Sequence, residues 1–175
     1  MIKENEYSEH IEKDNYTNRE HATLIELQSE NKVDKSATYF KNGFNCSQSV
    51  FTTFATDYGI PEEMALKVAT QFGGGARKGE MCGAVTGALM VLGLKYGHFH
   101  MNAPEEKGNA YKKAEEFMNC FIEKNGTVVC RELLGHDISK PEEMSRIKEL
   151  DLFKITCPKM IQCATEIVEQ MLKTE

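Results

Sequence analysis

The fold is decided by residues 73–97, which read GGGARKGEMCGAVTGALMVLGLKYG. A glycine-rich loop that carries Arg77 and Lys78 runs directly into an uncharged apolar segment, residues 81–94. That segment is shorter than the roughly 20 residues a membrane-spanning helix needs, so it predicts a buried core helix. Cys82 lies where the loop becomes this helix. Because free N–H groups and the helix dipole stabilise an anion there, we predict that Cys82 favours its thiolate and is a catalytic nucleophile.

The glycines of this stretch need a physical reason, because each glycine inside a helix costs about 0.5–1 kcal/mol relative to alanine. Two explanations remain open. Small residues let a second helix pack closely, or they leave space for a cofactor beside Cys82, which makes Gly83 and Gly87 candidate cofactor-binding residues. The loop at residues 73–79 lacks the Lys-Ser/Thr ending and the preceding strand of a phosphate-binding loop, so a flexible connector is favoured over a nucleotide site.

The composition predicts one soluble domain: 175 residues, of which 41% are hydrophobic and 27% charged. Residues 1–33 are polar and predict an N-terminal extension with a short helix around residues 20–29, and residues 34–175 form the predicted helical domain. A net charge of -6 argues against a nucleic-acid partner. The first residues have neither the basic start nor the apolar segment of a secretory signal, so we expect a cytoplasmic protein with no membrane span.

Apolar residues recur at helical spacing and no convincing strand alternation occurs, which predicts an all-α fold, a compact bundle of about six helices. One predicted helix begins at Pro61 and carries an apolar stripe of Met64, Val68 and Phe72. The longest amphipathic pattern covers residues 104–124.

Capping and proline signals place most of the cysteines at helix starts. Four share this position: Cys46, Cys82, Cys130 and Cys157. Cys120 and Cys163 lie inside helices and are predicted to be packing residues. Helix starts that point to one centre would stabilise thiolates, and four thiolates suit an iron–sulfur cluster or zinc. No CxxC pair is present, so the spacing leaves open whether the four converge.

The segments around these cysteines resemble the C_GCAxxG_C_C family of redox-active proteins over roughly residues 34–172. The matching segments are Asn45-Cys46-Ser47-Gln48, Cys82-Gly83-Ala84-Val85-Thr86-Gly87 with the apolar run after it, Cys130-Arg131-Glu132-Leu133-Leu134-Gly135, and Cys157-Pro158. The family label writes Gly-Cys-Ala, whereas this chain has the glycine after the cysteine. The resemblance implies a small helical protein with redox-active or metal-binding cysteines, and it specifies no substrate.

Three functions follow as hypotheses. The leading one is electron transfer with an unknown redox partner, in which the four cysteines bind an iron–sulfur cluster or a metal such as zinc. The second is a thiol–disulfide oxidoreductase with Cys82 and Cys46 as catalytic cysteines. The third is a helical interaction module, zinc-stabilised or held by packing alone.

His98 and His100 form a weaker candidate metal pair, with a surface loop as the favoured alternative. The small-residue face and the acidic surface permit a homodimer.

Overall fold

The computed structural model describes residues 31–174, and this part of the chain is all-α, as predicted. The α-helices are α1 (Lys32–Lys41), α2 (Cys46–Ala55), α3 (Glu62–Ala69), α4 (Gly83–Tyr96), α5 (Pro104–Asn125), α6 (Cys130–Leu134), α7 (Pro141–Glu149), α8 (Leu152–Ile155) and α9 (Cys157–Lys173). Two 3-10 turns and a glycine-rich turn, Gly75–Gly79, lie between them. The prediction of about six helices is approximate, because short helices lie between the long ones.

The first described helix begins earlier than the sequence indicates. The Asn31 side chain accepts hydrogen bonds from the backbone N–H groups of Val33 and Asp34, so α1 begins at Lys32, inside the predicted extension. The short helix predicted around residues 20–29 lies outside the described residues.

Helix α4 lies at the centre and packs closely on α2. A Cβ atom at Gly87 would lie 2.7 Å from the carbonyl oxygen of Ser47, closer than such atoms approach, and 3.1 Å from Cβ of Val50, tighter than ordinary van der Waals contact. The close-packing explanation for the glycines is therefore confirmed at Gly87. Gly93 differs, since a Cβ there would meet nothing within 4 Å.

The predicted apolar stripe of Met64, Val68 and Phe72 faces solvent, and its last residue lies in the 3-10 turn that follows α3. The exposed fractions are 54% for Met64, 50% for Val68 and 39% for Phe72. The helix buries Ala65 and Ala69 instead, because these small residues let its backbone approach the neighbouring helices.

The remaining core comes from the amphipathic faces of α5 and α9. Phe117 and Phe121 of α5 are buried, and α9 buries Ile161, Ala164, Ile167, Val168 and Met171. Cys120 and Cys163 are partly buried and pack against this core, as predicted. None of the helices in residues 31–174 combines the length and apolar character that crossing a membrane requires.

Candidate functional site

The fold brings the four helix-start cysteines to one place. Cys46, Cys82, Cys130 and Cys157 line a single cavity of about 270 Å³, which we call the four-cysteine cavity. They lie at the starts of α2, α4, α6 and α9, with Cys82 as the residue just before its helix. All four are buried and carry free thiols. The convergence that the spacing left open is thus present in the structure.

A reciprocal cap fixes Cys46 at the start of α2. The Asn45 side chain accepts hydrogen bonds from the N–H groups of Ser47 and Gln48 at 3.0 and 3.1 Å, and the Gln48 side chain accepts one from Asn45 N at 3.0 Å. The Asn45 amide also donates to the carbonyl of Thr70 at 2.8 Å. The cap therefore links α2 to the segment that leads into the glycine-rich loop.

A short antiparallel pairing holds Cys82 and Cys130 in register. Met81 pairs with Val129, the N–H of Cys82 donates to Val128 O at 2.8 Å, and the N–H of Cys130 donates to Glu80 O at 2.6 Å. Because side chains alternate along extended backbone, Cys82 and Cys130 lie on the same face of this pairing.

A side-chain ion pair reinforces the pairing. The Glu80 carboxylate pairs with the Arg131 guanidinium, so an ion pair beside Cys130 joins the same two segments. These bonds position the two cysteines without any bond between their thiols.

Cys46 and Cys157 form a thiol pair. A hydrogen bond from the Cys46 thiol lowers the pKa of Cys157, and the same contact, with burial, raises the pKa of Cys46. Cys157 is also the most exposed of the four, at 9%. Pro158 at the first turn starts α9 and so places Cys157 at the cavity.

The other two cysteines favour the protonated thiol. Burial raises the pKa of Cys82 to about 11, although the N–H groups of Ala84 and Val85 act in the opposite direction. Burial likewise raises the pKa of Cys130 to about 12, and the charge of Arg77 opposes this shift. The predicted preference of Cys82 for the thiolate is not met, because desolvation outweighs the helix start. Its catalytic role stays a prediction.

The remaining cavity wall is mostly apolar. It includes the side chains of Phe40, Phe44, Leu133, Leu134, Phe153 and Met160. Hydrophobicity is the only local signal that these wall residues carry, because their positions around the cavity depend on how α1, α6, α8 and α9 pack. Gly83 lines the cavity, whereas Gly87 packs against α2 and does not. Of the two predicted cofactor-binding glycines, only Gly83 is placed to contact a ligand.

The metal predictions gain no geometric support. Across residues 31–174, no group of three or more His, Cys, Asp or Glu side chains is arranged to hold a metal ion. His98 and His100 do not line the four-cysteine cavity, and His100 Nδ1 instead contacts Glu106 Oε2 at 3.1 Å on the surface. Ligation of a cluster or zinc by the four cysteines stays a hypothesis.

These features define a class: a small helical protein whose candidate centre is built from cysteine thiols at converging helix starts. The family model described as "Putative redox-active protein (C_GCAxxG_C_C)" matches residues 44–171, most of the chain. The protein belongs to the C_GCAxxG_C_C family, as the sequence resemblance indicated. Neither the curated proteins nor the solved structures gave a significant match.

Proposed function

We propose that this protein is a thiol–disulfide redox protein in which Cys157 and Cys46 exchange a disulfide with a substrate. One observation carries the proposal: these two thiols contact each other inside a cavity large enough for a small ligand. Two further features support it. Cys157 has the lowered pKa that an attacking thiol needs, and the family is described as redox-active.

The reaction has two exchange steps. The Cys157 thiolate attacks one sulfur of a substrate disulfide, the substrate S–S bond breaks, and the first product leaves as a thiolate that takes a proton. Cys46 then loses its proton and attacks the Cys157 sulfur, which releases the second product thiol. The protein gains a Cys46–Cys157 disulfide, and the substrate disulfide is reduced by the same two electrons. Run in reverse, the pair oxidises a dithiol.

We assign the roles of the two thiols from the directions of their pKa shifts. Their contact lowers the pKa of Cys157 and raises the pKa of Cys46, so Cys157 is the attacking thiol and Cys46 is the resolving thiol. This differs from the sequence prediction, in which Cys82 was the nucleophile with Cys46 as its partner. The raised pKa of Cys82 keeps that thiol protonated at neutral pH.

Cluster ligation is the second candidate, because all four cysteines line one apolar cavity. Thiolates from four helix starts in a shielded site are the donor set that iron–sulfur clusters use. The raised pKa values of Cys82 and Cys130 and the lack of a ready ligand group in the described chain make this the weaker candidate. Iron and sulfide analysis of anaerobically purified protein tests it, and a stoichiometric cluster would replace the exchange proposal.

Limited alkylation tests the assignment of the thiolate. Fully reduced protein is treated with substoichiometric iodoacetamide between about pH 6 and pH 9, where thiolate content decides the rate, and the labelled sites are identified by mass spectrometry. We expect Cys157 to be labelled first. Cys46→Ala should move the labelling of Cys157 to higher pH, whereas Cys46→Ser keeps a hydrogen-bond donor and should preserve most of the effect.

Disulfide mapping completes the test. Mild oxidation with diamide should produce a Cys46–Cys157 disulfide, with Cys120 and Cys163 remaining free. First labelling at Cys82, or an oxidised pair that excludes Cys157, would contradict the assignment.

A further inference from the structure

The four-cysteine cavity has one charged lining residue among residues 31–174. Arg77 lines it, and no Asp, Glu, Lys or His side chain does. Within the same part of the chain, the Arg77 guanidinium has no carboxylate partner, unlike Arg131, which pairs with Glu80. The charge of Arg77 acts on Cys130, which lines the same cavity. Arg77 is exposed, so it lies where an apolar cavity meets solvent, and a cation without a carboxylate partner at that position is suited to an incoming anionic group.

The backbone holds Arg77 at this position through an unusual conformation. Gly74, Gly75, Ala76 and Arg77 have φ values of 63°, 58°, 50° and 63°, so four successive residues adopt the left-handed region. Glycine enters this region readily, whereas Ala76 and Arg77 pay a steric penalty.

The turn is packed against the extended segment that follows it. A Cβ atom at Gly75 would lie 2.3 Å from Glu80 N, and Glu80 N donates to Gly75 O at 3.3 Å. Because this close contact restricts the loop, the left-handed turn fixes the backbone position of Arg77.

We propose that Arg77 is a specificity-determining residue that selects small disulfides carrying a carboxylate near the S–S bond. This inference rests on the proposed thiol–disulfide function. The planar guanidinium can form two parallel hydrogen bonds to a carboxylate, which would orient the disulfide while Cys157 attacks one of its sulfurs. Arg77 exchanges no electrons and no proton, so the exchange steps are unchanged. A cavity of about 270 Å³ restricts the substrate to a small molecule.

Lys78 provides the matched control. It is the next residue, it carries the same charge, it is exposed as Arg77 is, and it does not line the cavity. A general effect of protein charge would change the reaction rate with an anionic disulfide in both Lys78→Gln and Arg77→Gln. Direct recognition by Arg77 would change this rate only in Arg77→Gln.

The test compares an anionic and a neutral disulfide. Reduced protein carrying Cys120→Ser and Cys163→Ser is mixed with 5,5′-dithiobis(2-nitrobenzoate), which has two carboxylates, or with neutral 4,4′-dithiodipyridine. Second-order rates and the resulting disulfides are measured. We expect Arg77→Gln to slow the anionic reagent by about tenfold, as loss of a charge-assisted pair predicts, and to leave the neutral reagent within about twofold. Arg77→Lys should restore part of the rate, and Lys78→Gln should leave the ratio of the two rates unchanged.

Each other outcome has a defined meaning. Equal slowing of both reagents in Arg77→Gln, or equal effects of Arg77→Gln and Lys78→Gln, overturns the role of Arg77 while leaving the exchange function intact. If neither reagent forms a Cys46–Cys157 disulfide in the protein with unaltered Arg77, the proposed function fails and this inference fails with it.

Discussion

The contact between α2 and α4 makes a quantitative prediction about two glycines in one helix. Gly87 and Gly93 both lie inside α4, and both are replaced by alanine. At Gly87 the added Cβ would lie 2.7 Å from Ser47 O and 3.2 Å from Phe51 N, which are backbone atoms of α2. At Gly93 the added Cβ would enter open space. The same chemical change should therefore have opposite effects on stability.

The magnitudes follow from two terms. Alanine is favoured over glycine inside a helix by about 0.5–1 kcal/mol, and at Gly93 this term acts alone, so Gly93→Ala should raise the free energy of unfolding by that amount. At Gly87 overpacking costs about 1–3 kcal/mol, toward the upper end because the obstacle is backbone. Subtracting the helix term leaves a net loss of about 2 kcal/mol for Gly87→Ala.

Urea unfolding of the reduced protein, followed by circular dichroism, measures both changes. Gly87 contacts the first turn of α2, which contains Cys46. Because the Cys46 thiol contacts Cys157, Gly87→Ala should also alter the iodoacetamide labelling rate of Cys157. Gly93→Ala should leave this rate unchanged. Equal shifts in the two unfolding free energies, or a gain for Gly87→Ala, would show that α4 does not pack on α2 as described.

Two other predictions concern buried groups. The pKa of Cys82 is raised from 9.0 to about 11, so the unfolded chain loses the thiol proton at lower pH than the folded protein does. The contribution of the protonated Cys82 thiol to the free energy of unfolding is therefore fully present below pH 9, and roughly 2 kcal/mol is lost as pH rises toward 11. Cys82→Ser should remove this part of the alkaline decline in the unfolding free energy, and an unchanged decline would argue against the burial of the thiol. The Thr52 hydroxyl is buried without a hydrogen-bond partner in the described structure, so Thr52→Val should stabilise the protein by about 1 kcal/mol in urea unfolding. Thr53→Val should not, because the Thr53 hydroxyl donates to Ser49 O at 2.8 Å, and a gain for both variants would exclude this explanation.

Local signals in the sequence were enough to predict the all-α fold and the helix-start positions of the cysteines. Asn45 and Pro158 are capping and first-turn residues whose effects act over a few positions, and the structure has helices beginning beside both. The stripe of Met64, Val68 and Phe72 shows the limit of such signals. Helical spacing identifies a face, but only tertiary packing decides whether that face is covered.

The candidate site depended on information that local patterns do not contain. The pKa of Cys82 is set by how deeply the thiol is buried, and the contact of Cys46 with Cys157 joins residues more than a hundred positions apart in the sequence. Arg77 was visible as a cation in a glycine-rich loop. Its place at the cavity depends on a left-handed turn that two glycines permit but do not require.

The position of Cys157 at the start of the last helix has a consequence for biosynthesis. During translation the chain can form α1 through α6 before Cys157 exists, so Cys46, Cys82 and Cys130 lack their fourth neighbour until the C-terminal helix docks. Until then Cys46 has no Cys157 to which it can donate a hydrogen bond. The proposed reactive pair therefore arises only after α9 has been synthesised and has docked, and a product terminated before α9 would carry three of these cysteines without Cys157.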